Sequence, residues 1–329
     1  MTAGISIASD ELRVIVNPRV GGTITEITHL GLGLSVLGKV PWDPIDAPIA
    51  SLAARDEAQW LTRFTGGWPL LFPNGGDACS FGGIVHGFHG EASIAPWSFS
   101  ASANSICLKR RFFSVPVEME RELMVEGDLL IVREQLRMNG TRPVEVMWGH
   151  HATFGSDLLA APVEISSSAK HVTVDRGYDP VANPLVPGTQ GRWPMVAGKA
   201  GPADLSKPAG PLAAMVYLHD FSRAWAAIRR LDGALAAALS WDAERFPCAW
   251  LWYELEGTPE SPWHGRGRMI GIEPCTTRSG AGIANAKESS EQLLTLQPGE
   301  EFRTELRLHV FKPFGKLGGV DPEGRARSA

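Results

Sequence analysis

The chain has 329 residues, enough for one large domain or two ordinary ones; 44% of them are hydrophobic and 20% are charged. No apolar run approaches the roughly 18 residues of a membrane span, and the first residues lack the basic and apolar regions of a secretory signal. The net charge is −5, and the basic cluster Lys109-Arg110-Arg111 lies inside a predicted strand. The sequence therefore predicts a cytoplasmic protein that binds neither nucleic acid nor membrane.

The sequence shows no motif for a cofactor or a metal. Its four cysteines lie far apart and form no C-x-x-C pair, which argues against a zinc site and a disulfide framework. It also lacks a P-loop, a dinucleotide fingerprint, an H-E-x-x-H helix and a G-x-S-x-G elbow. We therefore expect no cofactor, no metal and reduced thiols at Cys79, Cys107, Cys248 and Cys275.

Strands dominate the predicted elements. Short alternating or β-branched segments, bounded by Gly, Pro, Asn or Asp, follow one another along the chain. Helical periodicity is scarce, so the parallel β-α-β arrangement is not supported and we expect an all-β fold of packed antiparallel sheets. In chain order the predicted strands are Glu11–Val16, Thr23–Thr28, Ile106–Phe113, Glu118–Val125, Leu129–Met138, Val144–Trp148, Ala213–Leu218, Ala224–Arg229, Ala249–Glu254 and Glu301–Phe311.

Three segments interrupt or end this pattern. The alanine-rich stretch Ala234–Leu239 fits a short helix or a hairpin strand, of which we prefer the strand. Val181–Pro211 is rich in proline and glycine and predicts a long surface excursion, either a lid or a solvated insertion. No fixed-period repeat is present. We predict a single domain over residues 1–311 and a C-terminal extension, residues 312–329, that adds little to the core.

Histidine, glutamate and tryptophan recur among glycines and prolines in three islands, residues 66–97, 147–155 and 250–277. Such a composition suits loops or strand ends that line a cleft. His86 and His89 are three residues apart, but the surrounding glycines disfavour a helix and hence a metal pair. The alternative role for either histidine is a polar loop residue bonded to backbone.

The second and third islands supply further candidates. His150 and His151 are adjacent at the end of a strand, so they should point to opposite faces, and only one can face a given site. Glu273 ends an apolar strand; burial would raise its pKa towards that of a general base. The alternative for Glu273 is an exposed carboxylate at a strand end.

Aromatic side chains beside the islands offer platforms for the C–H faces of a sugar ring. We expect most of them to be core residues and at most two to touch a ligand, with Trp68 and Trp148 as the predicted contacts. The tryptophans in question are Trp68, Trp97, Trp148, Trp250, Trp252 and Trp263.

Taken in order, the islands resemble the aldose 1-epimerase superfamily, which includes galactose mutarotase and the hexose-6-phosphate mutarotases. Val85–Phe88, with Pro96-Trp97 downstream, is similar to the first catalytic-histidine motif of that family; Gly66–Pro73 before it resembles the phosphate-sugar branch. His151–Phe154 resembles the second histidine motif, and Gly271–Pro274 resembles the strand that supplies the catalytic glutamate. Order and approximate spacing agree from about residue 10 to 311.

The resemblance implies an antiparallel β-supersandwich of the galactose mutarotase type and an isomerase that interconverts the α and β anomers of a cyclic aldose. It implies that His86 binds and polarises the substrate, that His151 is the general acid and that Glu273 is the general base. The expected partner is a small monosaccharide. We expect a monomer or a homodimer.

The sequence also departs from the family pattern. The arginine that precedes the first histidine in galactose mutarotase has no clear counterpart, with Arg63 as a nearby substitute. The aspartate that binds ring hydroxyls is matched by either Asp220 or Asp242, and His89 is a further predicted substrate contact. Because the basic residue that often follows the first motif is missing, the identity of the sugar stays open.

Other functions remain as alternatives. Arg266, with Arg268 or Arg63, is placed to clamp an anionic sugar such as a phosphosugar, a sulfonated sugar or a uronic acid; the alternative for this stretch is a solvated turn. A non-catalytic carbohydrate-binding protein would keep the fold and the aromatic platform without the chemistry. A lyase or hydrolase accessory module ranks last.

Overall fold

Antiparallel strands build the molecule, as a computed structural model that describes residues 4–45 and 51–329 shows. The predicted all-β class is confirmed. In chain order the strands are β1 Ile5–Ala8, β2 Leu12–Asn17, β3 Thr23–His29, β4 Leu34–Ser35, β5 Leu70–Leu71, β6 Cys79–Phe81, β7 Ile84–His86, β8 Ser98–Ala101, β9 Ser105–Arg111, β10 Val117–Glu126, β11 Leu129–Met138, β12 Val144–Val146, β13 Gly149–His150, β14 Ala152–Phe154, β15 Val163–Val174, β16 Gln190–Arg192, β17 Met195–Gly198, β18 Gly201–Asp204, β19 Leu212–Arg230, β20 Ala236–Trp241, β21 Cys248–Leu255, β22 Arg268–Cys275, β23 Leu294–Leu296, β24 Glu301–Phe311, β25 Leu317–Val320 and β26 Ala326–Ser328.

One large sheet carries most of these strands. Its hydrogen-bonded order is β5-β13-β22-β21-β19-β20-β24-β11-β10-β9-β8, with β14 paired to β22 and β15 paired to β19 and β16. The N-terminal strands β1 to β4 form a separate meander. Buried residues alternate along its strands, as at Leu12, Val14 and Val16 of β2, and these side chains join the main hydrophobic core.

Helices are short. Helix α1 spans Glu57–Leu61 and begins at Asp56, whose side chain accepts a hydrogen bond from the backbone N–H of Gln59. Helix α2 spans Gly282–Glu288, and the segments Glu91–Ser93 and Ser156–Leu159 are single 3₁₀ turns. Within the described ranges, no helix is long and apolar enough to cross a membrane.

Most of the predicted strands are present, with local differences. Ala213–Leu218 and Ala224–Arg229 are parts of one continuous strand, β19, because both halves pair with β15 across a bulge. The alanine-rich stretch forms strand β20, as preferred. The excursion Val181–Pro211 is not structureless, since it contains β16 and the β17–β18 hairpin.

The C-terminal tail contributes buried residues of its own, contrary to the expectation that it adds little to the core. Strands β25 and β26 pair with each other. Leu317, Val320 and Ala326 pack in one buried cluster with Trp225 and Phe311 of the large sheet. The apolar side chains at these positions, among glycines and charges, are what attach the tail.

A buried ion pair lies in the large sheet. Arg121 of β10 and Glu134 of β11 are directly opposite, both side chains are fully buried, and Nε of Arg121 lies 2.6 Å from Oε1 of Glu134. The indole N–H of Trp148 donates to the other carboxylate oxygen at 3.1 Å. Glu134 is therefore compensated on both oxygens, as a buried charge requires.

Candidate active site

Three neighbouring strands present one face to the core and the other to a cleft. Strand β22 pairs with β14 on one side and β21 on the other, with Ile272 opposite both Ala152 and Leu251. These three side chains belong to the main core. Because side chains alternate across a strand, the neighbouring positions, including Glu273 and Trp250, point to the other face.

A cleft opens on that second face, with about 630 Å³ of space between its walls including the mouth. Its lining is mostly aromatic and apolar with a few polar groups, which is the composition typical of small-molecule sites. The ionisable side chains that line it are Glu57, Asp77, His89, His151 and Glu273, and the aromatic ones are Trp60, Phe64, Phe88, Tyr178, Trp250, Trp252 and Trp263.

His151 and Glu273 form the polar centre of the cleft. Nδ1 of His151 lies 3.7 Å from Oε1 of Glu273, and both side chains are at least nine-tenths buried. Nδ1 also lies 2.8 Å from the hydroxyl of Thr153, which itself donates to the carbonyl oxygen of His151. The hydroxyl therefore accepts from Nδ1–H, and Nε2 of His151 is the nitrogen that remains for a ligand.

Burial acts on both groups of this centre in opposite directions. It raises the pKa of Glu273 well above its ordinary value, and it lowers the pKa of His151 to about 4. Both shifts favour the uncharged forms. The pair therefore favours the form that carries one proton, on Glu273, and no net charge.

His89 joins this centre from a different part of the chain. Its ring lies edge-on to that of His151, with centroids 5.2 Å apart. Nδ1 of the His89 ring accepts a hydrogen bond from the backbone N–H of Gly76 at 2.9 Å. The backbone N–H of His89 donates to the carbonyl oxygen of Gly76. Burial and the neighbouring His151 lower its pKa well below the usual range. His89 is thus a neutral ring whose Nε2–H is a hydrogen-bond donor.

A glycine makes room for the carboxyl group of Glu273. A Cβ atom at position 271 would stand 2.2 Å from Oε1 of Glu273, because residues two apart on a strand share a face. On the neighbouring strands, Thr153 and Trp252 are opposite Gly271. Gly271 therefore leaves the space in which the carboxyl group lies.

Aromatic rings enclose the histidines. Trp60 is stacked on His151 with centroids 5.9 Å apart, and Trp252 meets the same ring edge-on at 5.8 Å. Trp60 also packs edge-on against His89 at 4.7 Å. These rings exclude water from the ionisable groups and offer flat apolar faces to a ligand.

His86 does not line the cleft, in contrast to the role that the resemblance implies for it. It ends strand β7, opposite Cys79 in a two-stranded hairpin, and its side chain is buried there. The following turn carries His89 at φ 57° and Gly90 at φ 75°. This left-handed turn directs the second histidine of the motif, rather than the first, to the centre of the site.

Trp68 and Trp148, the predicted aromatic contacts, are core residues with no exposed surface. The indole N–H of Trp68 donates to Nδ1 of His150 at 3.2 Å. His150 in turn lies 3.4 Å from Glu134. As predicted, the adjacent histidines 150 and 151 point to opposite sides. The tryptophans of β21 and of the segment before β22 line the cleft instead.

The remaining predicted contacts also lie outside the cleft lining. Arg63 lines a separate, narrow cavity together with Trp60 and Phe64. Arg266 is exposed in the turn before β22. Asp220 is hydrogen-bonded to His171 at 2.6 Å and lies next to His219. The geometry thus gives these three no role at the cleft.

Among the described residues, a metal ion could be held by the cluster of His171, His219 and Asp220. The donor atoms of His171, His219 and Asp220 lie within 4.8 Å of one another. None of the three lines the cleft. The chemistry of the cleft is therefore argued from its own side chains.

Several lining residues carry no clear signal in the sequence. Glu57 and Trp60 lie on the short helix α1, and Asp77 and Tyr178 lie in irregular segments with no periodic pattern. Residues from the 181–211 excursion are not part of the described cleft lining, so nothing in the geometry makes that segment a lid.

The fold and site together define a galactose mutarotase-like β-supersandwich with a buried His–Glu centre. A galactose mutarotase-like protein from Lactobacillus casei has 17% identity and a TM-score of 0.67, with 94% of this chain and 100% of that chain covered. A candidate aldose 1-epimerase from Klebsiella pneumoniae has 17% identity and a TM-score of 0.69, with 92% of this chain and 77% of that chain covered. Another candidate aldose 1-epimerase, from Escherichia coli K12, has 16% identity and a TM-score of 0.66, with 94% of this chain and 99% of that chain covered. At this identity the likeness shows the fold.

The chain belongs to a family described as Domain of unknown function (DUF4432), whose model matches residues 5–310. The match begins in β1 and ends in β24. A search of curated proteins finds no match for the chain.

Proposed function

We propose that the protein is an aldose 1-epimerase, an isomerase that interconverts the α and β anomers of a cyclic aldose. The observation that carries the proposal is the buried pair of His151 and Glu273, 3.7 Å apart in an aromatic cleft. Anomer exchange needs one group that accepts a proton and one that donates a proton to the sugar. The pair supplies both.

The reaction follows from the proton that the pair shares. When the one proton of the pair is on His151, the ionised Glu273 takes the proton of the anomeric hydroxyl, His151 gives its proton to the ring oxygen, and the C1–O5 bond breaks. The open-chain aldehyde rotates about C1–C2 and closes again with the transfers reversed. The pair keeps one proton throughout, and its uncharged resting form is the form that accompanies the open-chain sugar.

His89 has a separate part in this scheme. Its Nδ1 is occupied by the Gly76 N–H and its pKa is lowered by burial, so it does not take up a proton readily. Its Nε2–H donates a hydrogen bond to a sugar oxygen on which charge develops. One such donor at an enzyme site contributes on the order of 10²- to 10³-fold to the rate.

The experiment compares the two histidines of the same motif. The decay of optical rotation of freshly dissolved α-D-glucose and α-D-galactose is followed with wild-type protein, His89→Asn and His86→Asn. We expect the wild type to accelerate the decay, His89→Asn to lose on the order of 10²-fold, and His86→Asn to stay within a few-fold when it is folded by circular dichroism.

The alternatives are separated by the exchange rate together with a measurement of sugar binding. Binding of sugars without any acceleration, detected by saturation-transfer difference NMR, would contradict the proposal and favour a carbohydrate-binding protein. Equal losses in both histidine variants would contradict the role of His89 while leaving anomer exchange intact.

A further inference from the structure

The charge of the cleft lining is one-sided. Three carboxyl groups, those of Glu57, Asp77 and Glu273, line it, and no lysine or arginine is present among the described lining residues. The undescribed residues 1–3 and 46–50 read MTA and DAPIA and contain no basic residue. A phosphate, sulfonate or carboxylate in a protein site is usually paired with arginine or lysine, and this cleft offers neither.

The arginines near the cleft in sequence are held elsewhere. Arg268 lies 2.8 Å from Glu256 in an ion pair and donates to the carbonyl of Leu159. Arg266 is exposed in its turn, and Arg63 lines the separate cavity. The clamp for an anionic sugar that the sequence suggests is therefore not formed in this structure.

Glu57 and Asp77 stand apart from the catalytic pair. Both are exposed residues at the rim of the cleft, where carboxyl groups ionise at neutral pH. Partial burial raises the pKa of each; the charge of Asp77 raises that of Glu57 further, and the charge of Asp175 raises that of Asp77. The rim thus carries two carboxyl groups, and the described residues of the lining include no lysine or arginine.

The aromatic walls act in the same direction. The faces of Trp60, Trp252 and Trp263, like those of the other rings in the lining, are negative because of the ring quadrupole, so they attract cations and apolar C–H groups and do not attract anions. Glu273, which is 2% exposed, is aimed into the same space. The carboxyl groups and the ring faces of the wall therefore disfavour an anionic ligand.

We propose that Glu57 and Asp77 are specificity-determining residues that restrict the site to aldoses without an anionic group, so that neutral sugars and amino sugars enter and sugar phosphates, sulfonates and uronic acids do not. This proposal rests on the proposed function and names its substrate class. The rim carboxylates bind sugar hydroxyl or ammonium groups and repel negative charge.

The test measures kcat/KM for anomer exchange by saturation-transfer NMR with glucose, glucosamine and glucose 6-phosphate. We expect glucose and glucosamine to exceed glucose 6-phosphate by about tenfold or more at low ionic strength, and the ratio to shrink as salt is added. The double variant Glu57→Gln/Asp77→Asn should reduce the discrimination against the phosphate several-fold.

A matched control removes the same charge elsewhere. Asp10 and Glu126 are exposed and lie outside the cleft lining, so Asp10→Asn/Glu126→Gln should leave the ratio unchanged. An equal effect of both double variants, or a wild type that prefers glucose 6-phosphate, would overturn the inference while leaving the epimerase function standing. Absence of exchange with every sugar would remove the function and the inference together.

Discussion

Gly271 is the residue on which the position of the Glu273 carboxyl group depends, since a Cβ there would stand 2.2 Å from Oε1. We expect Gly271→Ala to displace the carboxyl group and to lower kcat for anomer exchange by on the order of 10²-fold, the size of a misplacement of about 1 Å. Gly319→Ala is the control, because a Cβ at that position meets nothing within 4 Å. Full activity in a folded Gly271→Ala protein would show that this contact does not set the geometry.

The two ionisable groups at the centre predict the pH dependence. The pKa of His151 is lowered to about 4 by burial and that of Glu273 is raised. Below about 4 the pair takes up a second proton and has no base; above the raised pKa of Glu273 it loses its proton and has no acid. The rate should therefore rise with pH through about 4, stay level and then fall on the alkaline side.

The pH profile of kcat/KM checks this, with circular dichroism at each pH to confirm folding. An acid limb near the ordinary histidine value of about 6.5 would contradict the burial of His151 as the cause.

At the residue scale the sequence predicts the chemistry of the site better than its exact members. His151 and Glu273 follow from strand ends and from the family motifs. His89 follows only as a further substrate contact, with His86 as the polarising histidine, because no hydrophobic pattern encodes the left-handed turn at His89 and Gly90 that brings His89 to the centre. Composition does not tell which face of a strand a tryptophan occupies, so it does not separate the buried Trp68 from Trp252, which lines the cleft.

Two neighbouring pairs on β10 and β11 show what burial does at the scale of an element. Arg121 faces Glu134 with both side chains buried, whereas Glu122 faces Arg133 with both exposed. Glu134→Gln should lower the free energy of unfolding by roughly 3–5 kcal/mol, because it leaves a buried guanidinium uncompensated. Glu122→Gln should cost at most about 1 kcal/mol.

Urea denaturation of the two variants measures the difference. Similar losses at the two positions would mean that the buried network of Glu134 with Trp148 and His150 adds nothing beyond a surface ion pair.

The strands themselves were predictable, since alternation fixes the inner and outer faces. The partner across the sheet was not, because pairing such as that of β11 with β24 joins segments far apart in the chain.

For the whole molecule, the C-terminal tail packs on β19, β20 and β24 in the middle of the large sheet. Its Arg325 is paired with Asp128 at 2.5 Å, and Leu317, Val320 and Ala326 cover part of the sheet. Deletion of residues 312–329 should lower the free energy of unfolding by on the order of 3 kcal/mol and leave kcat nearly unchanged, because the tail does not line the cleft. Thermal unfolding and anomer exchange of the truncated protein test both parts, and unchanged stability would support the prediction of a dispensable extension.

The contact of the tail with Asp128 also predicts how stability changes in acid. Burial would raise the pKa of Asp128, but His309 and Arg325 together lower it to about 2. A lowered carboxyl pKa contributes stability above its unfolded value, and that contribution is lost as the pH falls through about 2. The truncated protein, without Arg325, should lose it at a higher pH.

The fold class was predictable from the sequence because many alternating segments without amphipathic helices leave few other arrangements. The tail and the 181–211 excursion were not, because their strands are short and rich in glycine or proline. Such segments take their structure from the surface on which they pack, and a local pattern does not record that surface.

The most direct test of the acid/base centre is the rate of anomer exchange of D-glucose and D-galactose, measured by saturation-transfer NMR with wild-type protein and with Glu273→Gln. The amide keeps the shape of the side chain and cannot carry the proton. The account predicts exchange well above the buffer rate in the wild type and a loss of on the order of 10³-fold in the variant. Exchange of equal rate in both proteins, or at the buffer rate in the wild type, would contradict it.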